Sequence, residues 1–435
     1  MKQNSLNHLI EQSGQNNAVQ DQGVSRLRQA LFTPAAQKNG PDTVKKDALI
    51  PTRGADMSVL ASNNNTSAKR VKQTKHAPEK PKPPPNPDAF SSRQMDMFRG
   101  LLCNTETERE TLSNVLDLWD SVPRYVVSRM QQDKWRKAGT FPALHEVRFH
   151  YRGRELVATI QPANIKGKDG VIRTYYPSAN EELVEDVLRK IAADQGNGYY
   201  EHRERRSGVV FTLHAVRKEL AKRGHMRNYV QISLSLDIMA RSVIVISTAD
   251  GKKGQFTSNS LYLNNLFRAS KDILDEEPDA KWSADFHPFA SQAFDDLTYR
   301  QFNYARMMRH KSQLARWLNK VLSLKYVNAS TLQPFEMHYS TIARDSGLLN
   351  GYSAARMAVA AVDAALDELQ DSMPPILSSP PEKRIIEGAR GKILDVIYTI
   401  HPSMEFIMEV KAANKRVKLI AEKTMFSDEQ NQQKR

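Results

Sequence analysis

One stretch, residues 294–373, fixes an order of elements that few folds accept. FDDLTYRQFNYARMMRHKSQLARWLNKVLSL has apolar residues at helical spacing and predicts one long helix over 297–322, with Phe302 and Trp317 in the core and His310 and Lys311 as a surface interruption. PFEMHYS follows as an extended piece. Two shorter helices come next, STIARDSGL and SAARMAVAAVDAALDEL, held apart by Gly347, Asn350 and Gly351. Ser353 stands where a helix N-cap belongs, and Met357, Ala360, Ala361, Ala364 and Leu366 are the stripe expected to face inward. Beyond Pro374-Pro375 and Pro380-Pro381, the basic residues Lys383, Arg384, Arg390 and Lys392 surround Gly388 and Gly391. A strand follows over 393–400, so this region predicts a hairpin with a long basic tip. Residues 404–420 close the unit as a helix or a strand, and a frayed tail is expected after them.

At 435 residues the chain has room for two or three domains. Lys and Arg number 63 against 49 Asp and Glu, a net charge of +14, which favours nucleic acid or another anionic surface as partner. Cys103 is the one cysteine, so no disulfide forms within the chain and a cytoplasmic setting is expected. No apolar run reaches membrane-span length, and MKQNSLNHLIEQSGQNN carries no apolar leader segment.

Residues 1–93 read as a disordered, basic, Pro-rich arm in which Asn, Gln, Ser, Lys and Pro dominate; it ends in the polyproline-like KPKPPPNP. A helix is expected within 105–140, with Leu112, Val115, Leu116 and Trp119 on one face and Pro123 as a breaker. Residues 146–160 alternate and predict a hairpin turning at Arg152-Gly153. His145 and His150 lack metal-ligand spacing and are expected at the surface. Residues 181–193 predict an amphipathic helix with Leu183, Val187 and Ile191 inward. YYEHRERR, 199–206, is expected as a charged loop, and 212–223 as a helix with Val216 and Leu220 inward, stopped by Gly224. Residues 226–239 suit a strand by one spacing and a helix by another. A strand over 242–247, a turn carrying Lys252 and Lys253, and a second strand over 260–267 complete the region. Asp272, Asp275, Glu276 and Glu277 mark a polar linker.

Helices followed by a hairpin with a basic tip thus occur twice, which is the order of a winged helix. The fold class expected is α+β: two tandem winged-helix domains, at 105–268 and 285–425, preceded by the disordered arm. The two units share element order and no close sequence repeat. In such a fold the last helix of each unit lies in a DNA groove and the hairpins touch the backbone. Arg227, Asn228 and Gln231 are the candidate DNA contacts of the first unit, with Lys252 and Lys253 on its wing. Tyr352, Ser353 and Arg356 are those of the second, with Arg390 and Lys392 on its wing.

Catalytic signatures are absent from the sequence. There is no G-x-x-x-x-G-K-[ST] loop, the GKKG turn is too short to cradle phosphates, and no paired HxH precedes a tyrosine as in strand-nicking nucleases. No enzyme activity, metal or cofactor is expected.

Gln94-Met95-Asp96-Met97-Phe98, just after the proline spacer, resembles the bacterial sliding-clamp-binding pentapeptide. An extended segment of that type drops Met97 and Phe98 into an apolar pocket while Gln94 bonds at its rim and Met95 takes the second, aliphatic place. Together, Gln94–Phe98, YARMMRHKSQLARWLNKVL and TIARDSGL in this architecture resemble the plasmid replication initiators of the tandem winged-helix type, the TrfA- and RepA-like Rep proteins. That resemblance covers 94–425. It implies binding to direct repeats (iterons) in double-stranded origin DNA, opening of adjacent A/T-rich DNA, and recruitment of the host replicative helicase and sliding clamp, with dimer formation left open. A winged-helix repressor or autoregulator would use the same helices without the clamp segment. An origin-nicking nuclease is the third reading, and no motif favours it.

Overall fold

The computed structural model describes residues 111–193, 198–201, 206–249, 257–269, 280–295 and 299–432. The first half begins with β1 (Leu112–Leu116), a short helix α1 (Asp117–Ser121) and α2 (Arg129–Ala138). Two hairpins follow: β2 (His145–Tyr151) with β3 (Arg154–Gln161), then β4 (Ala163–Lys166) with β5 (Ile172–Tyr175). Helix α3 (Ala179–Ala193) precedes β6 (Gly198–Glu201) and β7 (Arg206–Phe211), and α4 (Leu213–Lys222) and α5 (Tyr229–Met239) come next. The half ends with β8 (Val243–Thr248), β9 (Thr257–Leu261), β10 (Leu263–Phe267), β11 (Trp282–Phe286), α6 (Pro288–Asp295), β12 (Tyr299–Asn303) and α7 (Tyr304–Met307). The second half is α8 (Gln313–Lys325), β13 (Phe335–His338), α9 (Tyr339–Ser346), α10 (Ala355–Gln370), β14 (Glu382–Glu387), β15 (Ile393–Ile400) and α11 (Met404–Gln432).

From α8 onward the chain is a winged helix. One helix, a strand and two helices lead into the β14–β15 hairpin, and β13 joins its edge to give the order β13-β15-β14. The first half repeats that order from α3 to β9 with additions. Its wing hairpin β8–β9 is extended by β2 and β3 into a four-stranded sheet, β2-β3-β8-β9. The strand before α4 belongs to another sheet, β10-β11-β7-β6. The β2–β3 hairpin turns at Arg152-Gly153 as expected. Residues 226–239 resolve as helix α5, and 212–223 as α4, with Val216 and Leu220 fully buried.

Each half has its own core. The first gathers Trp119, Phe149, Val187, Ile232, Trp282 and Phe302, and it runs on through Met307 and Met308. The second begins at Leu314 and includes Leu318, Met337, Ile342, Val362, Leu366 and Phe406. Phe286, Phe289, Ala293, Tyr299, Phe302, Tyr304, Met307 and Met308, placed with the second unit by sequence, therefore pack in the first core. Trp317 is half-buried against the second.

Several expectations are corrected. The long helix over 297–322 does not exist: β12 and the four-residue α7 come first, and a new helix starts after Ser312, whose hydroxyl accepts from the Ala315 N–H at 3.1 Å. His310, at that break, is buried. The helix expected through Leu112, Val115 and Leu116 is likewise a strand, paired antiparallel with β12 from Leu112 opposite Asn303 to Leu116 opposite Tyr299. Both strands are covered on both faces, so their apolar residues do not alternate, and a short buried run of that kind matches a helix as well as a strand. YYEHRERR is not a loop throughout, because β6 and β7 pair there. His145 and His150 are half-buried; the ring of His145 packs against Trp135 and Tyr176. The closing element is a helix, and it continues to Gln432.

Helix α3 joins the halves. Its apolar face is Leu183, Val187 and Ile191, as expected, yet its acidic face is buried too. Glu185 accepts from Trp119 Nε1 at 2.6 Å, from the Tyr125 hydroxyl at 2.5 Å and from Arg124 Nη2 at 2.9 Å. Arg189 bridges Asp120 and Asp186. Across the seam, Arg316 of α8 reaches Glu182 at 3.2 Å and Lys320 reaches Asp186 at 2.7 Å. Charges this deep persist only when paired. Gly347 closes the same seam: its φ is +64°, and a Cβ there would lie 2.8 Å from Val126 and 3.3 Å from Val147. The adjacent Asp345 accepts the His150 N–H at 3.1 Å.

Lys320→Ala is expected to leave Glu182 and Asp186 buried beside Arg316 and Arg189 with one cation fewer, and to cost about 3–5 kcal/mol. Urea unfolding by circular dichroism checks this; a midpoint equal to wild type would refute it. The pH profile gives a second test. Burial lowers the His287 and His310 imidazoles to about 3 and about 4, with Arg124 and Arg306 adding to the effect. Burial raises the Glu185 carboxyl, but Arg124 and Arg189 outweigh it and hold it at about 2. For the histidines the unfolded chain binds protons first, so their stability is whole above about pH 6.5 and declines as pH falls toward the folded values. The Glu185 contribution is whole above about pH 4 and is lost as pH falls through 2. Unfolding midpoints should therefore fall from neutrality to pH 4.5 and continue to fall below it; equal midpoints at pH 7.5 and 4.5 would contradict the assignment.

Candidate nucleic-acid interface

In the first half the Thr212 hydroxyl caps α4 by accepting the Ala215 N–H at 3.0 Å. Gly224 then turns the chain at φ +86°. Helix α5 starts in a capping box: Asn228 Oδ1 accepts the Gln231 N–H at 2.8 Å, and the Asn228 N–H donates to Gln231 Oε1 at 3.0 Å. Ile232, Leu236 and Met239 seal α5 to the core, which leaves Tyr229, Val230 and Gln231 exposed on its first turn.

Beside that turn lies an open cavity of about 330 Å³ lined by His214, Arg217, Lys218, Ala221, Met226, Arg227 and Asn228. The Arg217 guanidinium sits 5.0 Å from the Tyr229 ring centroid, and the Tyr229 hydroxyl is 3.3 Å from His214 Nδ1. Three cations thus border one exposed helix start. Of the residues expected to contact DNA, Arg227 is tied to Asn180 Oδ1 at 2.7 Å and to the Met226 carbonyl at 2.8 Å. Asn228 and Gln231 spend their side-chain oxygens on the cap. All three border the interface, and all three also build it.

Sequence reasoning passed over His214, Arg217, Lys218 and Tyr229. The signal was present: 214, 217, 218 and 221 recur at helical spacing on the face opposite Val216 and Leu220. The wing of this unit is β8–β9, in register from Val243 opposite Leu261 to Ser247 opposite Thr257. Its expected contacts Lys252 and Lys253 lie outside the described residues.

In the second half α9 ends at Gly347 and α10 begins after an exposed turn. Ser353 does not cap α10. The N-cap position is Ala354, and no side chain there bonds the first amides. The unsatisfied N–H groups and the positive end of a 16-residue helix therefore open toward Tyr352, Ser353 and Arg356, all exposed. Such a terminus accepts a phosphate oxygen well. The expected inward stripe is also corrected. Ala358, Val359, Val362, Ala365, Leu366 and Leu369 face the core, whereas Met357, Ala360 and Ala364 are exposed. In an alanine-rich helix the small residues fit either face, and Val359, Val362 and Leu369 decide the rotation.

The second wing carries Arg390 and Lys392 at its tip, both exposed, with Arg390 at φ +61°. Lys383 instead holds Asp363 of α10 at 2.6 Å, and Asp363 also accepts the Tyr398 hydroxyl at 2.9 Å, so the wing base is pinned to the helix beside it. Gln94, Met95, Met97 and Phe98 lie outside the described residues. Among the described residues no cluster of His, Cys, Asp and Glu could hold a metal, and no helix is long and apolar enough to cross a membrane.

No family model matches the chain, and no curated protein matches it. Several solved structures do. The selenomethionine derivative of domains 2 and 3 of RctB is 12% identical, with a TM-score of 0.39 over 60% of this chain and 91% of that one. RctB domains 2–3 in a second crystal structure are 11% identical, with a TM-score of 0.38 over 62% of this chain and 95% of that one. The Pi initiator protein in complex with iteron DNA is 11% identical, with a TM-score of 0.30 over 68% of this chain and 99% of that one.

Proposed function

We propose that this chain is a replication initiator that binds repeated sites in double-stranded origin DNA and works by binding energy, without catalytic chemistry of its own. The observation that carries the reading is the pairing of two winged-helix units in one body, locked by the buried α3–α8 ion pairs. Two reading helices held in fixed relation bind one composite site, because engagement of the first presents the second at high effective concentration. The surface around both helix starts is cationic or open to anions: Arg217, Lys218 and Arg227 in the first, the uncapped terminus and Arg356 in the second. Net charge of +14 supplies the sequence-independent part of the affinity.

Finer parts of the reading rest on the resemblance stated from sequence. They are the opening of A/T-rich DNA, the recruitment of the replicative helicase, and delivery of the sliding clamp through Gln94, Met95, Met97 and Phe98. A second copy of the chain is a further partner of this kind, and the cytoplasm is where such a protein acts. A repressor would share the DNA contacts and lack the clamp contact.

Selection of duplexes from a random-sequence pool, followed by footprinting on the winners, tests the core of the proposal. Arg356→Ala should weaken binding to the selected duplex by about 1–3 kcal/mol and relax preference at one position; equal loss on all sequences would make Arg356 a phosphate contact instead. Enrichment of no duplex would refute DNA reading altogether. Purified sliding clamp should be retained by wild type and lost by Gln94→Ala/Phe98→Ala; equal retention would remove the clamp from the mechanism and leave the repressor reading.

A further inference from the structure

The β4–β5 hairpin belongs to neither reading helix nor either wing, and its tip is built unlike a solvated turn. Val171 and Ile172 are adjacent there and 51% and 65% exposed. Lys166, Lys168 and Arg173 are exposed around them. Three cations and one carboxylate, Asp169, therefore ring two bare β-branched side chains.

The tip is pre-formed. The Gly167 N–H donates to the Val171 carbonyl at 2.8 Å, and the Gly170 N–H to the Gly167 carbonyl at 3.0 Å. Gly170 takes φ +78°, which a residue with a Cβ adopts only with strain. Asp169 does not point a free charge outward: it accepts from Arg173 Nη1 at 3.0 Å and Nη2 at 2.5 Å, and from the Val171 N–H at 3.1 Å. The base is braced as well. Arg136 Nη2 donates to the Thr174 carbonyl at 2.7 Å, and the guanidinium groups of Arg136 and Arg129 lie 4.8 and 5.1 Å from the Tyr175 ring centroid. Strand β4 packs against α5, the reading helix of the first unit.

We infer that the β4–β5 hairpin is a DNA-deforming arm: Lys166 and Lys168 hold the phosphates on either side of the minor groove while Val171 and Ile172 press into a base step and unstack it. The inference rests on the proposed DNA-binding function. Its chemistry is general, since apolar wedges on cationic arms kink duplexes from the minor groove, most readily at flexible pyrimidine–purine steps. A rigid tip is what such a wedge needs, because a floppy one would fold its apolar residues back on itself. An apolar tip with a cationic rim also suits an anionic lipid surface; packing of the arm against a reading helix favours DNA.

The test uses the full chain and the duplex it selects from a random pool, with 2-aminopurine placed at successive steps. Wild type should raise fluorescence severalfold at one step and bend the duplex in a circular-permutation assay. Val171→Ser/Ile172→Ser should abolish both signals while affinity falls by about tenfold or less. Lys166→Ala/Lys168→Ala should lower affinity on all duplexes alike and flatten its salt dependence. Both pairs are exposed, so matching circular dichroism and urea midpoints will separate these effects from misfolding. A wild type that binds without unstacking, or a serine variant that unstacks as wild type does, overturns the wedge and leaves DNA binding intact. Failure to select any duplex overturns the DNA-binding function, and the wedge with it. Serine substitutions that abolish binding to phosphatidylglycerol vesicles but leave DNA deformation unchanged would assign the tip to a membrane.

Discussion

Everything in the described structure depends on how α3 places its acidic residues. An amphipathic helix ordinarily turns Glu and Asp to water. Here Glu182, Glu185 and Asp186 are buried, and each is met by a cation from another element: Arg316 of α8, Arg124 of the loop before α2 and Lys320 of α8, with Arg189 of α3 itself adding to Asp186. Taking those groups from water is costly, and their mutual attraction offsets the cost only with good geometry and filled hydrogen bonds. The hydrophobic effect is non-directional and does not by itself name which residues must meet. A buried lysine that must meet Asp186 does, because a shift by one helical turn would strand both charges. The ion pairs therefore fix the register of α8 against α3 more than they add net stability.

That register has a consequence at the surface. α8 is the first helix of the second unit, and α10 packs against it. Holding α8 on α3 sets where the start of α10 lies relative to the start of α5. Gly347 permits the close approach on the other side of the seam, where Asp345 meets the backbone of β2. Arg309 and Lys311 lie between the two cores, and the Lys311 and Ser312 amides donate to Glu368 near the end of α10, so the connection is pinned as well. On the proposed function, the length of the DNA site follows from this seam and not from a flexible linker.

Much of the architecture was legible in the chain, and the failures share a cause. The β2–β3 hairpin, with alternating residues and a clear turn, stands where periodicity placed it, and β15 fills the strand expected over 393–400; Lys383 and Arg384, expected in the basic tip, are instead part of β14 and pair with Tyr398 and Ile397. α4 and α9 also stand where periodicity placed them, each closed by a glycine with positive φ nearby. β1 and β12 were misread because both are covered on both faces, and a strand of that kind loses the alternation that identifies it. The break at His310 was obscured for a related reason: residues 299–308 and 314–322 are both rich in buried apolar groups, and only the Ser312 cap separates them. The acidic face of α3 was invisible as a buried surface, because its partners lie up to 134 residues away. Of the site residues, Tyr352, Ser353, Arg356, Arg390 and Lys392 are exposed as the pattern required. Arg227, Asn228 and Gln231 turned out to be shared with helix capping, a role that local sequence does specify through the N-x-x-Q spacing.

On the proposed function, α5 and α10 differ in a way that divides their labour. α5 begins in a capping box that satisfies the Asn228 and Gln231 amides, and its first turn presents the side chains of Tyr229, Val230 and Gln231, rimmed by Arg217 and Lys218. α10 begins uncapped, so its first turn presents backbone N–H groups, and a phosphate there would be gripped without regard to sequence. Its exposed face then runs through Met357, Ala360 and Ala364, whose side chains carry no strong hydrogen-bonding groups, to the exposed carboxylate of Asp367. A face of methyl and thioether groups cannot select G or C by donor and acceptor pattern, but it packs against the thymine methyl in the major groove. Arg356, exposed in the first turn, is then the group on α10 able to bond a base edge in two places. The proposed composite site accordingly has polar readout near the α5 contact, a single strong guanine preference near the start of α10, and A/T-tolerant positions along the rest of that helix.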